Sequence, residues 1–142
     1  MRSKAPLLLM EQMGMLLVFA LAAALCVQAF VKSDAISARG EARDQAVVIA
    51  QTAAETIRLA GGTAEEALEA AAQQLPEAVY ENGTLRVAYD AEWTPAAGAA
   101  EGRFLEVRAL PEASGLSEVS VMVHSDGEEL FAMEAAWQRP LS

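Results

Sequence analysis

Few side chains in this 142-residue chain are placed to do chemistry, and the one that needs a reason is Glu11. It stands inside the stretch LLLMEQMGMLLVFALAAALCVQAFVKS, residues Leu7–Ser33. A carboxylate in hydrocarbon costs about 3 kcal/mol or more, so Glu11 needs either a partner or a place at the rim of the apolar phase. The other titratable groups point to no reaction. His124 is the sole histidine, and Ser125 and Asp126 follow it, but neighbours along a strand face opposite ways and make no triad. One histidine, one cysteine (Cys26) and scattered carboxylates lack the spacing of a zinc site. Asp90 and Glu92 read as loop carboxylates, with calcium the less favoured reading. Glu65, Glu66 and Glu69 read as a solvated helix face, and Glu128 and Glu129 as the flank of a turn. Trp93 and Trp137 read as core or sheet-edge residues. There is no glycine-rich phosphate loop, nucleophile motif or dinucleotide fingerprint. Neither an enzyme nor a metal, cofactor or small-molecule substrate is expected.

Charge narrows the field further. The formal net charge is −10, which disfavours nucleic acid, because binding phosphates takes clustered Lys and Arg. From Ser33 onward there are 7 basic and 19 acidic residues, a net of −12, whereas Arg2, Lys4 and Lys32 precede it against Glu11 alone. A basic start, an apolar span and an acidic remainder fit a single-pass protein with its N-terminus cytoplasmic and its C-terminal part outside. Cys26 lies in the apolar span, so no disulfide can staple the outer part.

The elements that position Glu11 follow from pattern. Met13–Val31 is 19 residues, about 28 Å as a helix, close to the hydrocarbon thickness. A transmembrane helix is the first reading. A cleaved signal peptide, with Val27–Ala29 as its small-x-small site, is weaker, because apolar residues continue through Phe30 and Val31 without a helix breaker. A lipoprotein is set aside because the large Leu25 precedes Cys26. The helix is expected to continue, since no proline occurs from Lys32 to Ala60 and Ala46, Ile49, Ala50, Ala53, Ile57 and Ala60 recur at three- and four-residue steps. Gly40 is its weak point, a place for a bend or break, and Ala60–Gly62 supply the stop. Thr63 and Glu66 form a capping box for a second helix, about Ala64 to Gln74, which Leu75-Pro76 ends.

From Ala78 the period changes to two. Leu85, Val87 and Tyr89 share one face against Arg86 and Ala88. Leu105, Val107 and Ala109 oppose Phe104, Glu106 and Arg108. Val119, Val121 and Val123 alternate with Ser120, Met122 and His124, and Phe131, Met133, Ala135 and Trp137 continue the apolar set. Asn82-Gly83 and Asp126-Gly127 are tight-turn signals, the second closing a hairpin. Thr94–Gly102 and Pro111–Gly115 read as loops. The fold expected is α+β: a long N-terminal helix, membrane-spanning and then amphipathic, packed on a small antiparallel sheet of about four strands. The stripe from Ala46 to Ala60 is the natural cover for the sheet's apolar face.

In its span and its plan the chain resembles type IV pilins and the pseudopilins of type II secretion. In those families four apolar residues precede a glutamate and a long apolar run follows, as Leu7, Leu8, Leu9, Met10 and Glu11 do here. The resemblance implies a peptidase cut between Pro6 and Leu7, and a Glu11 carboxylate paired with the freed amino terminus of a neighbouring subunit. The family has glycine before the cut, where this chain has Pro6. Without the cut, Glu11 would sit near the inner interface within reach of Arg2 or Lys4. The implied organisation is a leader-like segment (1–6), a transmembrane helix (7–32), an amphipathic extension (33–62) and an extracytoplasmic α+β domain (63–142). Its partners would be the lipid bilayer and other pilin-like subunits, in a type II secretion, type IV pilus or competence-type assembly, in a minor or accessory role. The alternative is a standalone membrane-anchored binding module outside the cell.

Overall fold

The structure, a computed structural model, describes residues 4–98, 102–112 and 114–139. Arg2 and the start of the leader-like segment lie outside the described residues, as do 99–101 and 113 in the two expected loops. Two compact units divide at Gly40/Glu41.

Helix α1 spans Ala5–Ala60. It starts two residues before the expected Leu7, because proline is accepted in a first turn, where its missing N–H has no helical acceptor to lose. The Leu8 N–H donates to the Lys4 carbonyl at 3.2 Å and closes that turn. Gly40 neither ends nor interrupts the helix; the good helix formers on either side outweigh its cost of about 1 kcal/mol. Gly61 closes the other end with φ 67°, its N–H reaching the Ile57 carbonyl at 3.3 Å. Helix α2 spans Ala64–Gln74, as read from its capping box. The Thr63 hydroxyl accepts from the Glu66 N–H at 3.2 Å, and the Glu66 carboxylate accepts from the Thr63 N–H at 3.0 Å.

The sheet corrects the expected strand count from four to five. Strands β1 (Ala78–Glu81), β2 (Thr84–Tyr89), β3 (Arg103–Ala109), β4 (Leu116–Ser125) and β5 (Glu128–Gln138) form an antiparallel meander in sequence order. The added strand is β1. Its four residues are too few to show alternation alone, yet Asn82-Gly83 folds it back so that Tyr80 lies opposite Leu85. Both two-residue turns hold their central residues at positive φ (52° and 75° for Asn82 and Gly83, 52° and 81° for Asp126 and Gly127), the primed geometry whose twist matches the flanking strands. A bulge at Val123/His124 makes Leu130 the extra residue of β5.

The alternating faces read from the sequence hold. Leu85, Val87, Tyr89, Leu105, Val107, Val119, Val121, Val123, Ala135 and Trp137 are buried, with Phe131, Met133 and Ala109 half-buried beside them. They share one core with Ala46, Ala50, Ala53, Ala54 and Ile57 of α1 and Ala64, Ala67, Leu68 and Ala71 of α2. One acceptor ties helices to strands. The Gly62 carbonyl, in the turn between α1 and α2, accepts from Ser117 Oγ of β4 and from Trp137 Nε1 of β5, each at 3.1 Å. Ser117 is the only buried polar residue among those described, and this bond satisfies its hydroxyl.

Ser117→Ala or Trp137→Phe removes one of two donors and leaves the carbonyl served by the other. Each lost bond should cost about 1 kcal/mol, beside the packing lost with the smaller ring. Removing both strands the carbonyl, so the double variant should cost more than the sum. Chemical denaturation of the full chain in mild detergent, followed by circular dichroism, measures this. Additive losses would show that the shared acceptor is not what couples the two strands to the turn.

Candidate functional site

Pro6, Leu7 and Glu11 all lie on α1. The Pro6–Leu7 bond sits in the first helical turn. Glu11 is exposed and lines a shallow groove along one side of the helix with Gly14, Met15, Val18, Phe19 and Ala22. Those residues recur at alternating steps of three and one, the pattern of a single helical face. Gly14 presents no side chain, so another helix can approach closely one turn from the carboxylate. Every described residue from Lys4 to Glu41 is exposed, and the most apolar window of α1 is wholly unburied within the chain. Leu7, at 75% exposure, and Phe19, at 74%, therefore have no cover from this molecule. Among the described residues the Glu11 carboxylate has no hydrogen bond or ion pair. Cys26 is a free thiol on the same exposed segment. The helix is long and apolar enough to cross a membrane, which makes single-pass anchoring compatible with the structure.

The remaining candidates are accounted for within the unit from Glu41 onward. Asp90 Oδ1 accepts from the N–H groups of Glu92 (3.0 Å) and Thr94 (2.8 Å), so the carboxylate organises its own loop. No grouping of three metal-ligating side chains occurs among the described residues. Trp93 is half-buried between Tyr89 (centroids 6.1 Å apart) and Arg103, whose guanidinium carbon lies 5.0 Å from its ring centre. Arg103 also donates to the carbonyls of Ala91 and Asp90. Glu66 caps α2, and Ser125 Oγ donates to Asp126 Oδ2 at 3.3 Å. His124 stacks on Phe104 with ring centres 4.8 Å apart and planes 21° apart.

That stack belongs to a cluster that strand-by-strand reading does not assemble. On the sheet face away from the helices, the Arg86 guanidinium lies 4.2 Å from the centre of the Phe104 ring. Glu106 pairs with Arg108 at 2.7 Å and with Arg86 at 3.7 Å. Alternation puts Arg86, Phe104, Glu106, Arg108 and His124 on the polar face. Only the register, with Arg86 opposite Glu106, Ala88 opposite Phe104 and Phe104 opposite His124, shows which of them meet. Arg86, Phe104, Glu106 and Arg108 border an open concavity of about 810 Å³ that also takes in Arg103, the β1 rim and Ala96–Gly98.

Two tyrosines titrate away from their ordinary range. Burial pushes the Tyr89 phenol up to about 12. Tyr80 is raised by burial first, then by the carboxylates of Glu65 and Glu69 on α2. An acid whose folded pKa lies above its unfolded value of 10 favours the folded state while neutral. The Tyr89 contribution is therefore complete below pH 10 and is lost as pH rises from 10 toward 12. Denaturation midpoints of the full chain should fall across that window, and Tyr89→Phe should flatten the fall; an unchanged slope would place the alkaline loss elsewhere.

Comparison of the chain with protein families, with curated proteins and with solved structures finds no match.

Proposed function

We propose that this protein is a non-enzymatic, membrane-anchored, pilin-like or pseudopilin-like subunit of a type II secretion, type IV pilus or competence-type assembly, in a minor or accessory role. The observation that carries this reading is the division of labour along α1. Its outer part is spent on the sheet, whereas its apolar part, with Glu11 and Gly14 on one face, finds nothing in its own chain to cover it. Lipid covers apolar side chains well, but it does not satisfy a carboxylate. A neighbouring helix that brings a cation does both. A buried carboxylate is tolerable once paired and intolerable once its partner is removed.

In this reading the N-terminus is cytoplasmic and the acidic domain lies outside the membrane. If the chain is cut before Leu7, the freed amino terminus of a neighbour is the cation; if it is not, Lys4 is the nearest described candidate. Intact mass of the protein from native membranes decides between the two. Loss of residues 1–6 selects the amino terminus, an uncut chain selects the lysine, and loss of the first 29 residues would remove Glu11 and overturn the proposal.

Glu11→Gln keeps the shape and deletes the charge. The variant should still insert, slightly better than the parent, and should fall at least tenfold in the high-mass assembly extracted from membranes, since about 1.4 kcal/mol is a tenfold change. Native electrophoresis with quantitative blotting reads this. Equal incorporation would sink the pairing role and favour a plain anchor carrying a standalone binding domain.

A further inference from the structure

The two ends of the sheet are blunted unequally. Strand β1 closes one end with 4 residues, a short edge that offers little for another chain to pair with. Strand β5 closes the other end with 11 residues, and among the described residues it pairs with β4 alone. Sheet edges are commonly protected by proline, lysine or a bulge. The bulge here falls at Leu130, near the start of β5, and Phe131–Gln138 runs on in regular register without proline or a basic residue. Alternate backbone groups of such a stretch point away from the sheet, where an extended peptide can meet them.

The side chains along that edge set what can be added. Toward the helices, Ala135 and Trp137 are buried but Phe131 and Met133 are only half-buried, so the core is open along its β5 side. A groove of about 380 Å³ lies there, with Ala54, Glu55 and Arg58 of α1 on one wall and Met133 and Ala135 on the other. On the opposite side Ala132, Glu134 and Ala136 are exposed. The two alanines leave room for long neighbouring side chains, and Glu134 carries the charge between them.

Charge narrows the occupant. Glu55 and Arg58 offset each other on the helical wall, so the strand decides, and its charged residues are Glu128, Glu129 and Glu134. Arg139, just past β5, is engaged by Glu112 at 3.0 Å. From Ser33 onward the chain has 7 basic and 19 acidic residues, so the surrounding field has the same sign. A second β5 laid antiparallel and centred on this stretch would set Glu134 against its own counterpart, and like charges directly opposite destabilise a strand pair. The edge therefore disfavours another copy and favours a cationic strand.

We infer that the open edge of β5 receives an extended segment of another protein whose side chains alternate apolar and basic. Main-chain hydrogen bonds add the segment to the sheet beside β5. Its apolar residues close the core over Phe131 and Met133, and its lysines or arginines lie beside Glu134. The inference goes beyond the assembly reading, since the edge serves an assembly subunit and a plain anchored module alike.

Two labelled synthetic peptides of the length of Phe131–Gln138 test it, titrated against the full chain in an uncharged mild detergent and read by fluorescence anisotropy. One alternates valine and lysine; the other has the same composition in two blocks. The alternating peptide should bind about tenfold more tightly, because only it presents one side chain type to each side of the edge. Glu134→Lys should weaken that peptide about fivefold and the block peptide less than about twofold. Amide hydrogen exchange of Phe131–Gln138, followed by mass spectrometry, should slow with the alternating peptide and not with the block peptide. Equal affinities would reduce the effect to the general negative field; that result, no binding, or unchanged exchange in β5 would each overturn the inference. All these readouts are taken on the detergent-solubilised chain, so their failure bears on the edge and leaves the pairing of Glu11 to its own test.

Discussion

A sheet with one apolar face cannot stand in water uncovered, and the covering of that face governs the C-terminal unit of this protein. The cover is mostly alanine. Of the buried helical residues only Ile57 and Leu68 are large; the rest are alanines that lose no side-chain entropy on burial and keep the helical surface flat. Bulk comes from the sheet, whose buried set includes two leucines, five valines, Tyr89 and Trp137. A flat helical surface against a ridged sheet leaves the helices poorly located by shape alone. Ile57 and Leu68 act as two pegs, and the shared Gly62 carbonyl fixes the turn between the helices to β4 and β5.

The same helix that covers the sheet carries the apolar segment, and its length and composition are compatible with a membrane span. Its alanine stripe is committed near the C-terminal end, and its leucines, phenylalanines and methionines are left outward toward the N-terminal end. Backbone hydrogen bonding inside the helix is what permits this, since a helix is self-satisfied in lipid and in water alike. Glu11 is the exception in the apolar half, the one carboxylate in a run of apolar side chains.

Surface charge completes the account. The unit from Glu41 onward is acidic, and three of its arginines lie on or beside the sheet: Arg86 and Arg108 share Glu106, and Arg103 lies across Trp93. Each guanidinium is partly neutralised or stacked, which lowers its desolvation cost without hiding it. The sheet therefore has a dry valine face that holds the fold and a polar face whose exposed centre is positive in an otherwise negative domain.

Residue order alone was enough for the local elements and their faces. The Thr63–Glu66 capping box, the end of α2 before Leu75-Pro76, the turns at Asn82-Gly83 and Asp126-Gly127, and the alternation that buries Val119, Val121 and Val123 are short-range matters of hydrogen bonding, sterics and period. The apolar run with its single carboxylate was equally legible, because hydropathy needs no partner to be read. Tertiary packing decided what depends on residues distant in sequence. It made a strand of Ala78–Glu81 by pairing it with β2. It brought Ser117 and Trp137 to one carbonyl 55 and 75 residues away, and through strand register it set Phe104 opposite His124 with Arg86 diagonal to that pair. Register is a property of two strands together, and an alternating pattern says which face a side chain takes but not which neighbour it finds there.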